Sequence, residues 1–105
     1  MKMGVISYDI THSKTRDNLY RLLSSYCTRV QFSVFEFELK NEIYNELMER
    51  INNLVTKYNN DLKKENKFTF SIRIYFLCST CKNKILNIGD DVQYYKKVTI
   101  VWWKE

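Results

Sequence analysis

Two amphipathic helical stretches alternate with runs of β-patterned residues in an order close to βαββαβ, which predicts an α+β domain with both helices on one face of a sheet. The length of 105 residues limits the prediction to one domain, since a single core serves roughly 50–200 residues. The chain has no proline, no internal repeat and no low-complexity linker, so nothing marks a second domain.

The first element is Met3 to Ile10, apolar and partly β-branched, with Asp9 near its end. Thr11, His12 and Ser13 follow with side chains suited to capping a helix. From Lys14 to Tyr26 the apolar residues Leu19, Leu22, Leu23 and Tyr26 recur at three- and four-residue spacing, while Arg16, Asp17 and Arg21 lie elsewhere on the cylinder. Arg29 to Leu39 alternates as a strand, with Val30, Phe32 and Val34 on one side, until Phe35 and Phe37 bring aromatics to the other. The phase change predicts an extended but bent segment.

Asn41 can cap a second helix whose stripe is Ile43, Leu47, Ile51, Leu54, Val55 and Tyr58, with Asn59 and Asn60 as its stop. A polar connection leads to the clearest strand, Phe68 to Cys78, where Phe68, Phe70, Ile72, Ile74 and Phe76 alternate with Thr69, Ser71, Arg73 and Tyr75. Val92 to Trp103 is again β-branched and aromatic. The whole reads as a ferredoxin-like βαββαβ domain over 1–91 with an extra C-terminal strand over 92–105, the latter serving dimer or partner contact. Helices cover one sheet face, and the sheet of a second copy is an economical cover for the other.

Composition narrows the partners. The net charge of +5 suits a polyanion, although 12 of the 17 basic residues are lysines and a lysine-rich composition accounts for part of it. No apolar stretch approaches the roughly 20 residues of a membrane span. The start of the chain is too short in apolar residues and too soon broken by Asp9 for a secretory signal, which predicts a cytoplasmic protein. Three cysteines, Cys27, Cys78 and Cys81, are too few for a disulfide framework and read as free thiols, while the spacing of Cys78 and Cys81 is only half that of a zinc site.

Candidate site residues follow from chemical type. Arg16, Arg29 and Arg73 are candidates for phosphate contact because guanidinium forks match phosphate oxygens; the alternative is a solvated surface charge. Tyr8, Phe35 and Tyr75 are candidates to stack on unpaired bases, with interface or core packing as the alternative. His12 reads as an incidental loop residue, with general-base chemistry the less favoured role. Asp9 on the residues alone reads as a helix cap or a strand end.

Four blocks taken together change that last reading: Val5-Ile6-Ser7-Tyr8-Asp9-Ile10, then Arg29-Val30-Gln31-Phe32-Ser33-Val34-Phe35-Glu36, then Ser71-Ile72-Arg73-Ile74-Tyr75, then Ile88-Gly89. In this order they resemble the Cas-two family, the smaller of the two core CRISPR adaptation proteins. The resemblance implies a sheet-to-sheet homodimer and a magnesium-dependent endonuclease acting on RNA or DNA, with manganese as a substitute. It also implies spacer acquisition together with the Cas-one integrase, in a prokaryotic cytoplasm. A non-catalytic, dimeric DNA-binding scaffold of the same complex is the alternative. Asp9 matches the family's metal-binding aspartate, and Tyr8, Arg16, Arg29 and Phe35 match positions associated with its nuclease site. Asn18 stands where some relatives carry a second arginine. Phe37 stands where glycine is common, which implies a different bend after Glu36.

Overall fold

The computed structural model describes residues 1–65, 67–78, 80, 86 and 88. The expected C-terminal strand over 92–105 and Cys81 lie outside the described residues. In chain order the elements are β1 (Lys2–Ile10), α1 (Ser13–Tyr26), β2 (Thr28–Gln31), β3 (Val34–Leu39), α2 (Asn41–Asp61), a short 3-10 turn (Lys63–Glu65) and β4 (Phe70–Phe76). The strands form one sheet in the order β2-β3-β1-β4, with β1 antiparallel to both β3 and β4. This is the ferredoxin-like arrangement that the pattern predicts.

The period of two along β1 sorts its residues between the faces. Ile6, Tyr8 and Ile10 are buried under the helices, whereas Val5 and Ser7 are half-buried and Asp9 is exposed on the opposite face. Against the inward set pack Leu19 and Leu23 of α1, Phe35 and Phe37 of β3, and Leu47 and Ile51 of α2, in one core. Each such side chain taken out of water contributes about 1.5–3 kcal/mol, and this layer is what the helices are held by. Tyr26 adds a polar clasp between the helices, its hydroxyl donating to Glu46 Oε2 at 2.5 Å.

The first helix is capped from within the expected Thr11–Ser13 stretch, whereas the start of the second differs from expectation. His12 is the N-cap of α1, where its Nδ1 accepts the Thr15 backbone N–H at 3.3 Å and lies 2.7 Å from Thr15 Oγ1. Asn41 is not a cap; it is the first helical residue of α2, and the cap position is Lys40, whose side chain makes no capping bond. Glu42 in the first turn supplies the negative charge that the helix N-terminus favours instead. At the other end, Asn59 and Asn60 stay helical and the helix continues to Asp61.

The expected bend in the Arg29 to Leu39 segment is a hairpin. The pairs Arg29↔Phe35 and Gln31↔Val34 show a one-residue irregularity, after which Phe32 and Ser33 make the turn. That extra residue moves Phe35 and Phe37 to the helix-covered face, which is why the alternation changes phase there. No further bend follows Glu36, since β3 pairs with β1 in unbroken register from Lys2↔Leu39 to Ser7↔Val34. The bulk of Phe37 is accommodated by Gly4 directly across the ladder. A Cβ at position 4 would lie 2.3 Å from the Tyr75 carbonyl oxygen and 2.8 Å from the Phe37 ring. Because the first of these atoms is backbone, Gly4→Ala is expected to destabilise the chain by about 1–3 kcal/mol. Urea unfolding would show it as a lower midpoint, and an unchanged midpoint would mean that β1 and β4 separate at no cost.

Candidate active site at the end of the first strand

Four hydrogen bonds fix the end of β1. The Tyr8 backbone N–H donates to the Ser33 carbonyl at 3.1 Å, and its hydroxyl donates to the Phe32 carbonyl at 3.4 Å. On the other side, Thr11 and Thr69 are joined twice: the Thr11 N–H donates to the Thr69 carbonyl at 3.0 Å, and Thr11 Oγ1 accepts the Thr69 N–H at 2.8 Å. Asp9 lies between these ties and pairs across the ladder with Ser71. It is presented on the outer face by a strand that cannot rotate there. Since His12 supplies the cap, Asp9 does not cap the helix.

The residues expected to form the site divide between the two faces. Asp9 and Arg73 share the outer face, because Arg73 pairs with Ser7, two residues from Asp9 along β1 and so about 7 Å from it. Arg73 is exposed, and its Nη1 donates to the Tyr75 hydroxyl at 3.4 Å. Tyr8, Phe35 and Arg29 belong to the helix side. Phe35 is wholly buried and Tyr8 is 5% exposed, so neither ring is placed to stack on a base. Their rings stack on each other, 6.3 Å apart and 22° from parallel. Burial pushes the Tyr8 hydroxyl above its usual pKa of 10, against the opposing pull of Arg29.

Arg29 is held rather than free in solvent. Its guanidinium lies 5.3 Å from the Tyr20 ring centre and 5.5 Å from that of Phe32, and its Nε donates to the Gln31 carbonyl at 3.4 Å. Arg16, half-buried on α1, is near enough to act electrostatically on the Tyr8 hydroxyl, as is Asp17. Tyr20 and Phe32 were not expected at this site. The phase change after Ser33 was the signal, because it announces a turn and with it an outward-facing Phe32.

A cleft of about 210 Å³ lies between the first turn of α1 and the end of α2, lined by His12, Lys14, Thr15, Lys57, Tyr58 and Asp61 among others. It is in the helix layer, on the far side of the sheet from Asp9. Among the described residues no three histidine, cysteine, aspartate or glutamate side chains converge as a metal cage. Among the described residues, Asp9 is the carboxylate that the end of β1 presents on the outer face. Magnesium keeps several waters and is commonly held by one or two carboxylates, so an exposed Asp9 fits as half of such a site.

Fold and site together define a small α+β domain with a solvent-facing carboxylate on the open face of its sheet. The family model described as CRISPR associated protein Cas2 matches residues 1–85, and the chain belongs to this family. The chain is 36% identical over 86 residues to "CRISPR-associated endoribonuclease Cas2 1" of Chloroflexus aurantiacus, covering 82% of this chain and 83% of that protein. It is 37% identical over 86 residues to "CRISPR-associated endoribonuclease Cas2 2" of Methanospirillum hungatei, covering 82% and 84%. Among solved structures it is similar to a chain of a partial Cas6-RT-Cas1–Cas2 complex, with a TM-score of 0.65, 32% identity, and coverage of 84% of this chain and 91% of that one.

One carboxyl on this face has altered acidity. Glu36 is half-buried in β3 with its Oε1 lacking a hydrogen-bond partner among the described residues, and desolvation raises its pKa from 4.5 to about 7. A carboxyl more basic when folded than when unfolded favours the fold fully below pH 4.5, and this contribution is lost as pH rises through about 7. Unfolding stability is therefore expected to fall across that window, and Glu36→Gln is expected to flatten the decline. A wild-type profile that rises from pH 4.5 to 7 would contradict the assignment.

Proposed function

We propose that this chain is a metal-dependent endonuclease of CRISPR adaptation, hydrolysing phosphodiesters of RNA or DNA as a cytoplasmic homodimer and working in spacer acquisition beside the Cas1 integrase. The observation that carries this reading is the exposure of Asp9 at a rigid strand end whose neighbours Tyr8 and Ile10 are buried. The endoribonuclease names of the relatives and the Cas1 named in the similar complex support it.

Asp9 would hold magnesium or manganese, and two copies of Asp9 would complete the carboxylate pair if the outer faces meet. When bound, such a cation stabilises charge on the phosphate and lowers the pKa of a coordinated water. The chain's own residues then bind and orient. Arg73, on the same face, offers donors to a phosphate oxygen, and Arg16 and Arg29 offer further charge at the rim. Water adds to phosphorus, the bond to the leaving nucleoside oxygen breaks, and that oxygen takes a proton.

Dimerisation follows from the open face, where Met3, Val5 and Val34 are half-buried and Tyr75 is 51% exposed. A sheet packs against another about 10 Å away with such residues between them. Light scattering is expected to give twice 12.8 kDa at micromolar concentration; a monomer mass would remove the shared carboxylate pair.

The second reading is a non-catalytic scaffold, favoured by the single carboxylate per chain. Asp9→Asn separates the two, since it keeps shape and removes the charge. Cleavage is expected to need magnesium or manganese and to drop by roughly a hundredfold or more in the variant, with nucleic-acid binding retained. Cleavage that persists in Asp9→Asn would remove the catalytic role. Spacer capture that persists without cleavage would make the protein a scaffold first.

A further inference from the structure

The β2–β3 turn carries a large apolar side chain that stands out from the domain at this end of the described sheet. Phe32 is 68% exposed, whereas Tyr8 and Phe35 are 5% and 0% exposed. A lone exposed apolar residue is ordinary on a protein surface and by itself means nothing. Three features set Phe32 apart.

The first is its hold on the fold. The Phe32 carbonyl accepts the Tyr8 hydroxyl at 3.4 Å, and the next carbonyl, that of Ser33, accepts the Tyr8 N–H at 3.1 Å. The turn is thus tied to the central strand although its side chain points to solvent. The second is its pairing with charge. The Arg29 guanidinium lies 5.5 Å from the Phe32 ring and 5.3 Å from the ring of Tyr20, which in turn meets Phe35 edge-on at 5.9 Å. This chain of ring and guanidinium contacts runs from the core out to the exposed ring. The third is location. Tyr8 meets Ser33 across one strand spacing, and Asp9 is the next residue of β1, so the turn flanks the strand end where the carboxylate sits.

We infer that Phe32 is a stacking platform for an unpaired base, with Arg29 taking the phosphate beside that base, so that a single strand is led past Asp9. The inference rests on the nucleic-acid reading above and adds to it a residue and a preference. Every base has a π-face, so an aromatic platform accepts any sequence. In a duplex those faces are already stacked on neighbouring pairs, and only an unpaired or splayed nucleotide can use the ring. A guanidinium against one side of the ring fixes the ring's position and places further N–H donors beside the stacked base. Tyr8 and Phe35 hold this assembly from within the core without touching the strand themselves.

The test uses the full-length chain with chelator present, so that binding is read without cleavage. Labelled single strands of RNA and of DNA, and the matching duplex, are titrated by fluorescence anisotropy against wild type, Phe32→Ala, Phe32→Leu and Phe32→Trp. Because the side chain is exposed, all four are expected to share one circular dichroism spectrum and one mass. Single-strand affinity is expected to weaken roughly 5- to 150-fold in Phe32→Ala, the range that loss of one stacked base gives. Phe32→Leu is expected to lose nearly as much, Phe32→Trp to bind at least as tightly as wild type, and duplex affinity to change less than about twofold in all. A 2-aminopurine in the single strand is expected to lose fluorescence on wild type and Phe32→Trp but not on Phe32→Ala.

Equal single-strand affinity in wild type and Phe32→Ala, with binding intact, would overturn the platform and leave the nuclease reading standing. Equal losses on single strand and duplex would overturn it too, since the residue would then support the surface rather than a base. If Phe32→Ala lowers the mass of the assembly, Phe32 is a protein contact and the inference fails. Wild-type chain that binds neither strand would remove the nucleic-acid reading and the platform together.

Discussion

Tyr8 is tied twice to the β2–β3 turn, once through its backbone and once through its hydroxyl, and the geometry of the whole functional end depends on that double tie. The buried ring anchors to Phe35 and the core, the hydroxyl donates to the Phe32 carbonyl of the turn, and the strand position sets where its neighbours point. Since successive strand residues face opposite ways, fixing Tyr8 inward fixes Asp9 outward. Fixing the turn also fixes Phe32 and, through it, Arg29.

The sheet therefore separates two kinds of requirement. Its helix side is devoted to packing, with Ile6, Leu19, Leu23, Phe35 and Leu47 fully buried. Its outer side carries Asp9, Arg73, Tyr75 and Glu36, groups with charge or hydrogen-bonding capacity on a surface still partly apolar. Glu36 shows the tension, because a half-buried carboxyl whose Oε1 has no hydrogen-bond partner among the described residues is driven toward its neutral form. Such a surface is costly to leave facing water and costly to cover with apolar material alone.

Much of this was legible in the sequence because it rests on periodicity. The alternation of β1 and β4, the three- and four-residue spacing of α1, and the stripe of α2 led directly to the strand order and to the helix-covered face. The place of Asp9 near the end of β1 was legible in the same run, its metal role was implied by the family blocks alone, and its exposure is a finding of the structure. The features that depend on a single local geometry were less accessible. Asn41 has a cap-forming side chain, yet the helix starts one residue earlier because Lys40 takes the cap conformation and Glu42 supports the first turn. Phe32 looked like a strand residue on one side with Val30 and Val34, because alternation continues through it and only the out-of-phase Phe35 and Phe37 betray the turn. Arg29 was expected as a phosphate contact from its chemistry, but its place between two rings comes from a helix and a turn on either side of it in the sequence, whose rings meet it only in the fold.

The exposed setting of Asp9 also bears on how a chain like this can change over generations. Its carboxylate supports no helix start and fills no space in the core, so replacing it is expected to cost the fold almost nothing. Tyr8, one residue earlier, has no such freedom. On the proposed reading of Asp9, a lineage could lose cutting in a single step and still pass on an intact fold, and a lineage that regained the carboxylate would inherit a strand already shaped to present it.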